Sequence, residues 1–146
     1  FHYTIVYGDK MKTEELMSIL SDQRVSLDDV LSNLKTQTLA SYLNDLLDEK
    51  GLTRAQVINA SGLSRDYANQ IFNGKRSNPS QIKILALAIA MGLTLEQTNR
   101  VLKLAGASTL YPKLPFDATI IFAIVHKMNV MQTNALLDEH ALTILE

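Results

Sequence analysis

The sequence predicts an all-α protein, and three observations support this fold class. Apolar residues recur at intervals of three and four along most of the chain, which places them on one face of a helix. Capping residues stand before several of these runs, and glycine follows them. The stretch with strand-like alternation, around Tyr3, Ile5 and Tyr7, is too short to predict a sheet.

The composition is that of a folded domain. The chain has 146 residues, of which 47% are hydrophobic and 20% charged, and this excludes disordered and low-complexity proteins. It contains no cysteine, which excludes disulfide frameworks and cysteine-based metal sites. Neither a signal peptide nor an apolar run of about 20 residues is recognisable. We therefore expect a cytoplasmic protein that does not associate with membranes.

Residues 1–36 are predicted to form an N-terminal extension with short acidic helices. Thr13 can cap one helix and Ser26 another, which would have two aspartates in its first turn. Phe1 to Lys10, before Met11, is either an upstream extension or a short strand.

A five-helix domain is predicted over residues 37–107. Its first three helices each follow a Thr or Ser and precede a glycine: Thr38 to Lys50, Thr53 to Ala60, and Ser64 to Asn73. The second and third are short and separated by a tight turn at Gly62, which is the helix-turn-helix pattern. We expect Asn78 to cap a fourth helix with Pro79 at its first position. Thr94 is predicted to cap a fifth helix.

A C-terminal helical hairpin is predicted over residues 108–146, with Asp117 capping its first helix and Asn129 its second. It either completes the core or forms a dimer interface. A weak repeat at an offset of 35 residues supports two similar hairpins, because Gln97-Thr98-Asn99 recurs as Gln132-Thr133-Asn134.

Charge is distributed unevenly. The formal net charge of −1 by itself argues against nucleic-acid binding. Residues 51–83, however, hold five basic residues and one acidic residue, Asp66, for a net charge of +4. Residues 1–49 hold four basic and nine acidic residues. The helix-turn-helix is thus a basic module within an acidic frame.

The segment Leu52 to Ser80, LTRAQVINASGLSRDYANQIFNGKRSNPS, resembles the Xre-type, lambda-repressor-like helix-turn-helix family. The resemblance covers about Thr38 to Leu104. It implies a five-helix DNA-binding domain, usually dimeric, whose third helix lies in the major groove. Two positions depart from the family pattern: Ile58 replaces a small residue and Ser61 an apolar one, so the crossing of the two helices is expected to shift.

The resemblance implies a set of residues that contact bases from the third helix: Arg65, Asp66, Tyr67 and Gln70. Arg65 and Gln70 are the leading candidates for base recognition, because Arg forms bidentate hydrogen bonds with guanine and Gln forms them with adenine. Asp66 either accepts from cytosine or stabilises the start of its helix. The residues expected to contact phosphates are Arg54, Ser64, Asn69, Asn73, Lys75, Arg76 and Lys83.

No catalytic constellation is visible. His2, His126 and His140 lie far apart in sequence, and no metalloprotease, phosphate-loop or hydrolase motif is present. His126 and His140 are both expected near helix C-termini, where a structural role is favoured. We predict no enzyme activity, no cofactor and no metal.

Two functions remain open. The first is a bacterial or phage transcriptional regulator that binds a two-fold, double-stranded DNA operator as a homodimer. The second is a protein-interaction adaptor or antitoxin-like subunit that kept the helix-turn-helix fold, which the acidic N-terminal region favours. Whether that region covers the basic face is a further open point.

Overall fold

The computed structural model describes residues 12–34 and 37–146. These residues form nine helices, and the all-α prediction is confirmed. Their bounds are α1 Thr13–Ser21, α2 Leu27–Asn33, α3 Leu39–Lys50, α4 Arg54–Ser61, α5 Arg65–Phe72, α6 Gln81–Met91, α7 Leu95–Leu104, α8 Pro115–Val125 and α9 Val130–Glu139. The chain divides into an N-terminal unit, residues 1–37, and a C-terminal unit, residues 38–146.

The N-terminal unit contains two short helices around a small core. Ile19 of α1 and Val30 of α2 are buried, and Leu16 and Val25 pack against them. Lys12 precedes α1, so the prediction that Thr13 caps this helix is wrong. Ser26 precedes α2 at the predicted position, but its side chain makes no capping hydrogen bond. The strand considered around Tyr3 lies outside the described residues.

The C-terminal unit is built around α6, which is apolar on nearly all sides. Residues 84–89 of this helix are all buried, and α6 contacts α4, α7 and α9. The fourth helix of the predicted domain is therefore the central element of this unit. Ile120, Val130, Leu137 and Leu145 belong to the same core, so the C-terminal hairpin completes it.

Side-chain caps fix most helix starts. Four helices begin with a reciprocal pair of hydrogen bonds. The side chain of the capping residue accepts a hydrogen bond from the backbone N–H of the residue three positions later, and the side chain of that later residue accepts one from the backbone N–H of the capping residue. The four capping residues are Thr38, Thr53, Thr94 and Asn129. This reciprocal arrangement satisfies N–H groups that lack a partner within the helix. The capping predictions for α3, α4, α7 and α9 are therefore confirmed.

Two capping predictions within the C-terminal unit are wrong. Ser80, not Asn78, precedes α6, because the Asn78 amide donates instead to the Ala105 carbonyl, 3.0 Å away at the end of α7. Leu114 precedes α8 and Pro115 takes its first position. Asp117 lies within the first turn of α8, where its buried carboxylate accepts the Tyr111 N–H at 2.8 Å.

The 35-residue repeat corresponds to two equivalent hairpins, α6–α7 and α8–α9. Thr98 and Thr133 are fully buried, and each donates at 2.8 Å to the carbonyl of its helix cap. Asn99 accepts the N–H of Leu110 at 2.9 Å, and Asn134 accepts the N–H of Leu145 at 2.7 Å. Both asparagines thereby fasten a segment eleven residues further along to their own helix.

The turns of the two hairpins also correspond. Gly92 ends α6 at φ 65°, and Lys127, 35 residues later, follows α8 at φ 55°. The left-handed region favours glycine, since a side chain there crowds the backbone. Lys127 is therefore in a strained conformation that its counterpart avoids.

Within the described residues, no helix is both long and apolar enough to cross a membrane.

Candidate nucleic-acid interface

One face of α5 anchors this helix and leaves the other face free. Ala68, Ile71 and Phe72 are fully or almost fully buried, and the helix packs on α3 and α4. Ser64 caps α5 by accepting the Tyr67 N–H. Arg65 and Asp66 in the first turn are exposed.

The turn before α5 is held by Ser61. Its buried hydroxyl donates to the Ile58 carbonyl at 2.8 Å and accepts the Leu63 N–H at 3.1 Å. Ile58 is also buried. The polar residue that departs from the family pattern therefore has both of its hydrogen-bonding functions satisfied, and Leu63 enters the core.

A small cleft of about 260 Å³ lies between α4 and α5. Two arginines and two asparagines line it, which we name the α4-side cluster: Arg54, Asn59, Arg65 and Asn69. Guanidinium and amide groups all offer N–H donors, so the cleft suits phosphate oxygens or base edges. Sequence reasoning missed Asn59, because its place beside Arg65 and Asn69 depends on how α4 packs against α5.

Asn44 of α3 fixes Arg54 and the end of α5. Its amide nitrogen donates to the carbonyls of Ala40 and Phe72, both at 2.8 Å. Its oxygen accepts from Arg54 Nη2 at 3.4 Å, and the Arg54 guanidinium lies 5.3 Å from the centre of the Phe72 ring. Nothing in the sequence indicated Asn44, because its partner Phe72 is 28 residues away.

A second group lies on the other side of the exposed face of α5, away from the α4-side cluster. We name it the α6-side cluster, and its members are Tyr67, Gln70, Arg76 and Lys83. Arg76 donates through Nε and Nη2 to Gln70 Oε1, at 3.3 and 3.0 Å. Its guanidinium lies 4.5 Å from the centre of the Tyr67 ring, and Lys83 Nζ lies 5.5 Å from it. Two cations therefore share one aromatic ring.

Asn73 and Lys75 shape the loop that follows α5. Asn73 directly follows the last helical residue, Phe72, and its side-chain oxygen accepts the Lys75 N–H at 3.0 Å. Both side chains are exposed. The loop thus presents an ammonium group next to the α6-side cluster.

The two clusters and the loop make this face electropositive. Among the described residues, none of the cations Arg54, Arg65, Lys75, Arg76 and Lys83 pairs with a carboxylate. Asp66 lies at the start of α5, where a negative charge stabilises the helix dipole. Every residue that the sequence singled out for DNA contact belongs to α5, to α4 or α6, or to the segments just before and just after α5.

The histidines of the described residues lie apart from this face. His126 and His140 end α8 and α9, and each Nδ1 lies within 2.9 Å of the carbonyl four residues earlier. The described part of the chain holds no group of three or more His, Cys, Asp or Glu residues that could bind a metal ion.

Comparison with known proteins agrees with this geometry. Residues 43–97 match the family described as helix-turn-helix. The chain is 33% identical over 61 residues to the trifunctional NAD biosynthesis/regulator protein NadR of Escherichia coli, which is 42% of this chain and 15% of that protein. It is 34% identical over 59 residues to the NadR protein of Salmonella typhimurium, 40% of this chain and 14% of that protein. No solved structure matches the chain at a comparable level.

The family match identifies residues 43–97 as a helix-turn-helix domain. The segment includes α4, α5 and both clusters. The chain spans about a seventh of the length of the relatives that it matches.

Proposed function

We propose that the C-terminal unit is a sequence-specific, double-stranded DNA-binding module of a transcriptional regulator, with α5 lying in the major groove. The observation that carries this proposal is the face around α5, where five cations without carboxylate partners surround a helix whose opposite side is buried. Both relatives named above are described as regulators, which supports the same reading. A helix in the major groove brings its exposed N-terminal residues to base edges.

The contacts are assigned by position. Arg65, Asp66, Tyr67 and Gln70 would face bases, because they occupy the exposed or half-exposed side of α5. The remaining polar residues of the face would contact phosphates: Arg54, Ser64, Asn69, Asn73, Lys75, Arg76 and Lys83. Asn59 joins this second set, since it lines the same cleft as Arg54 and Asn69.

Selection from a random duplex library, followed by a salt titration, tests this function. We expect a short palindromic site, and log K falling with log salt by about 0.9 for each phosphate neutralised. Arg65→Ala should weaken binding by about 1–3 kcal/mol and reduce the base preference at one position of the site. Lys75→Ala should weaken binding to all DNA sequences alike. Lys113→Ala, which removes an equal charge outside this face, should change DNA affinity little. Salt-insensitive binding without an enriched site would contradict the proposal.

The proposed regulator is a homodimer that associates through α8. This helix is as apolar as α6 but exposes Phe122 by 46% and Val125 by 63%. A cavity of about 320 Å³, lined by Ala118, Thr119, Phe122, Leu136 and His140, lies beside them. An exposed apolar patch of this kind is typical of an interface.

The charges beside this patch favour a second copy of the chain as its partner. The cavity lining places the end of α9, with Asp138 and Glu139, next to the start of α8. Lys127 follows the opposite end of α8. In a two-fold, antiparallel contact between two α8 helices, each lysine would face the acidic pair of the other copy, so one patch complements itself.

Sedimentation of the Phe122→Asp variant tests the dimer. We expect this variant to become monomeric and to lose affinity for a two-fold site while keeping its helical content. Ala135→Asp, which adds the same charge at an exposed position of α9 outside the cavity lining, is the control. A dimer that persists in Phe122→Asp would exclude this interface.

The N-terminal unit favours the second candidate function, a protein-interaction adaptor. Met17, Leu27 and Leu31 are each more than half exposed there. The same described segment, residues 12–34, carries five acidic and two basic residues. Deletion of residues 1–37 should leave DNA affinity unchanged under the first proposal. Under the second, the deletion should abolish binding of the protein partner.

A further inference from the structure

Arg76 lies in the loop after α5, but its backbone and side chain pack back against the surface of that helix. Its backbone N–H donates to the Gln70 carbonyl at 3.0 Å, and its guanidinium makes two hydrogen bonds to the Gln70 side chain. The Tyr67 ring supports the same guanidinium at 4.5 Å. These contacts fix the Arg76 side chain against Gln70. The two side chains therefore form one composite group rather than two independent ones.

The pairing changes what Gln70 can recognise. A glutamine pairs with adenine by accepting from N6 through its oxygen and donating to N7 through its nitrogen. Here Gln70 Oε1 already accepts two hydrogen bonds from Arg76. Its amide nitrogen remains a donor, and a guanidinium with five N–H groups keeps three after those two bonds. The composite group therefore presents donors only.

A surface that presents only donors matches guanine. Guanine offers two acceptors in the major groove, O6 and N7, whereas adenine offers one acceptor beside the N6 donor. Donors placed against the adenine N6 group would leave polar groups without partners, which is costly in a desolvated interface. No carboxylate of the described residues pairs with Arg76, so nothing competes for its remaining N–H groups.

We propose that Gln70 and Arg76 form a single donor-only group that selects guanine and rejects adenine at the operator position facing Gln70. This inference rests on the proposed function. It moves Arg76 from the phosphate-contacting set to the residues that determine specificity, and it replaces the adenine preference expected for Gln70 from its residue type alone. Tyr67 acts as the positioning residue that holds the guanidinium.

Library selection with a set of variants tests the proposal. Gln70→Ala identifies the operator position concerned, because the preference at that position should disappear. Arg76→Ala should release Gln70 Oε1 and shift that same position from guanine toward adenine, by about tenfold or more. Arg76→Lys keeps the charge but not the forked geometry, so it should also lose most of the guanine preference. Lys75→Ala, the adjacent cation, should leave the preference unchanged.

The outcomes separate this inference from the function on which it rests. Adenine at the Gln70 position in the wild type would overturn the pair, as would a guanine preference that survives Arg76→Ala or Arg76→Lys. In each of these cases an enriched operator would still support the DNA-binding function. Failure of the wild type to enrich any sequence would overturn both.

Discussion

The hairpins α6–α7 and α8–α9 share their local chemistry, although one lies in the centre of the C-terminal unit and the other at its end. Each second helix has a reciprocal cap, a buried threonine on the first turn and an asparagine that fastens a later segment. Leu102 and Leu137, 35 residues apart, are both fully buried. Local sequence therefore specifies the same structure twice.

The surroundings of the two hairpins differ. Residues 84–89 of α6 are covered on all sides, whereas α8 leaves Phe122 and Val125 exposed. The first hairpin has glycine at its positive-φ turn positions, Gly92 and Gly106. The second has Lys127 and Ala141 at the equivalent positions. Local signals therefore set the geometry of a hairpin, whereas its place in the chain decides which of its faces are covered.

The largest expected effect tests whether the two hairpins share one core. Leu102→Ala and Leu137→Ala should each lower the free energy of unfolding by about 2–5 kcal/mol, because both leave a cavity in the same cluster. Thermal unfolding followed by circular dichroism should show a single transition in both variants. A separate early transition in Leu137→Ala would instead make residues 108–146 an independent domain, as the predicted boundary at residue 107 allows.

An intermediate effect is expected at the two asparagines. Asn99→Ala and Asn134→Ala should each cost about 1–3 kcal/mol, since the Leu110 and Leu145 N–H groups lose their partners in buried surroundings. Urea titration of both variants measures the loss. Asn59→Ala, at an exposed position of α4, is the control and should change stability by less than about 0.5 kcal/mol. Unequal losses at the two asparagines would break the equivalence of the hairpins.

The smallest effect concerns the turns, and its sign should differ between the hairpins. Lys127→Gly should stabilise the protein by about 1 kcal/mol, because it relieves a left-handed lysine. Gly92→Lys should destabilise it by a similar amount through strain alone, since no atom lies within 4 Å of an added Cβ. Differential scanning calorimetry of both variants decides the matter. Changes of the same sign would show that backbone strain does not distinguish the turns.

The parts of the fold that depend on nearby residues were predictable. The caps Thr38, Thr53, Thr94 and Asn129 were identified because a capping box needs only four consecutive residues. Asn78 was misassigned because its amide instead binds the Ala105 carbonyl, 27 residues away. Asp117 likewise accepts the N–H of a residue that precedes its helix. A competing tertiary partner is not visible in a local pattern.

The candidate site shows the same limit. The spacing of the capped helices predicted the helix-turn-helix pattern and the local charge predicted a basic surface, while the family resemblance implied that α5 carries the contacts. The link between Gln70 and Arg76 could not be predicted, because it depends on how the loop after Asn73 turns back along the helix. Asn44 was missed for the same reason, since the residues it joins lie on three different helices.

The hydrogen bonds of Asn44 have a mechanical consequence. One amide joins α3 to the end of α5 and to the start of α4, so these three helices should move as a rigid body. A rigid surface does not adapt to the width or twist of the groove that it enters. Under the proposed function, the duplex would have to deform to fit the protein, and flexible base steps would be favoured even where no side chain touches them.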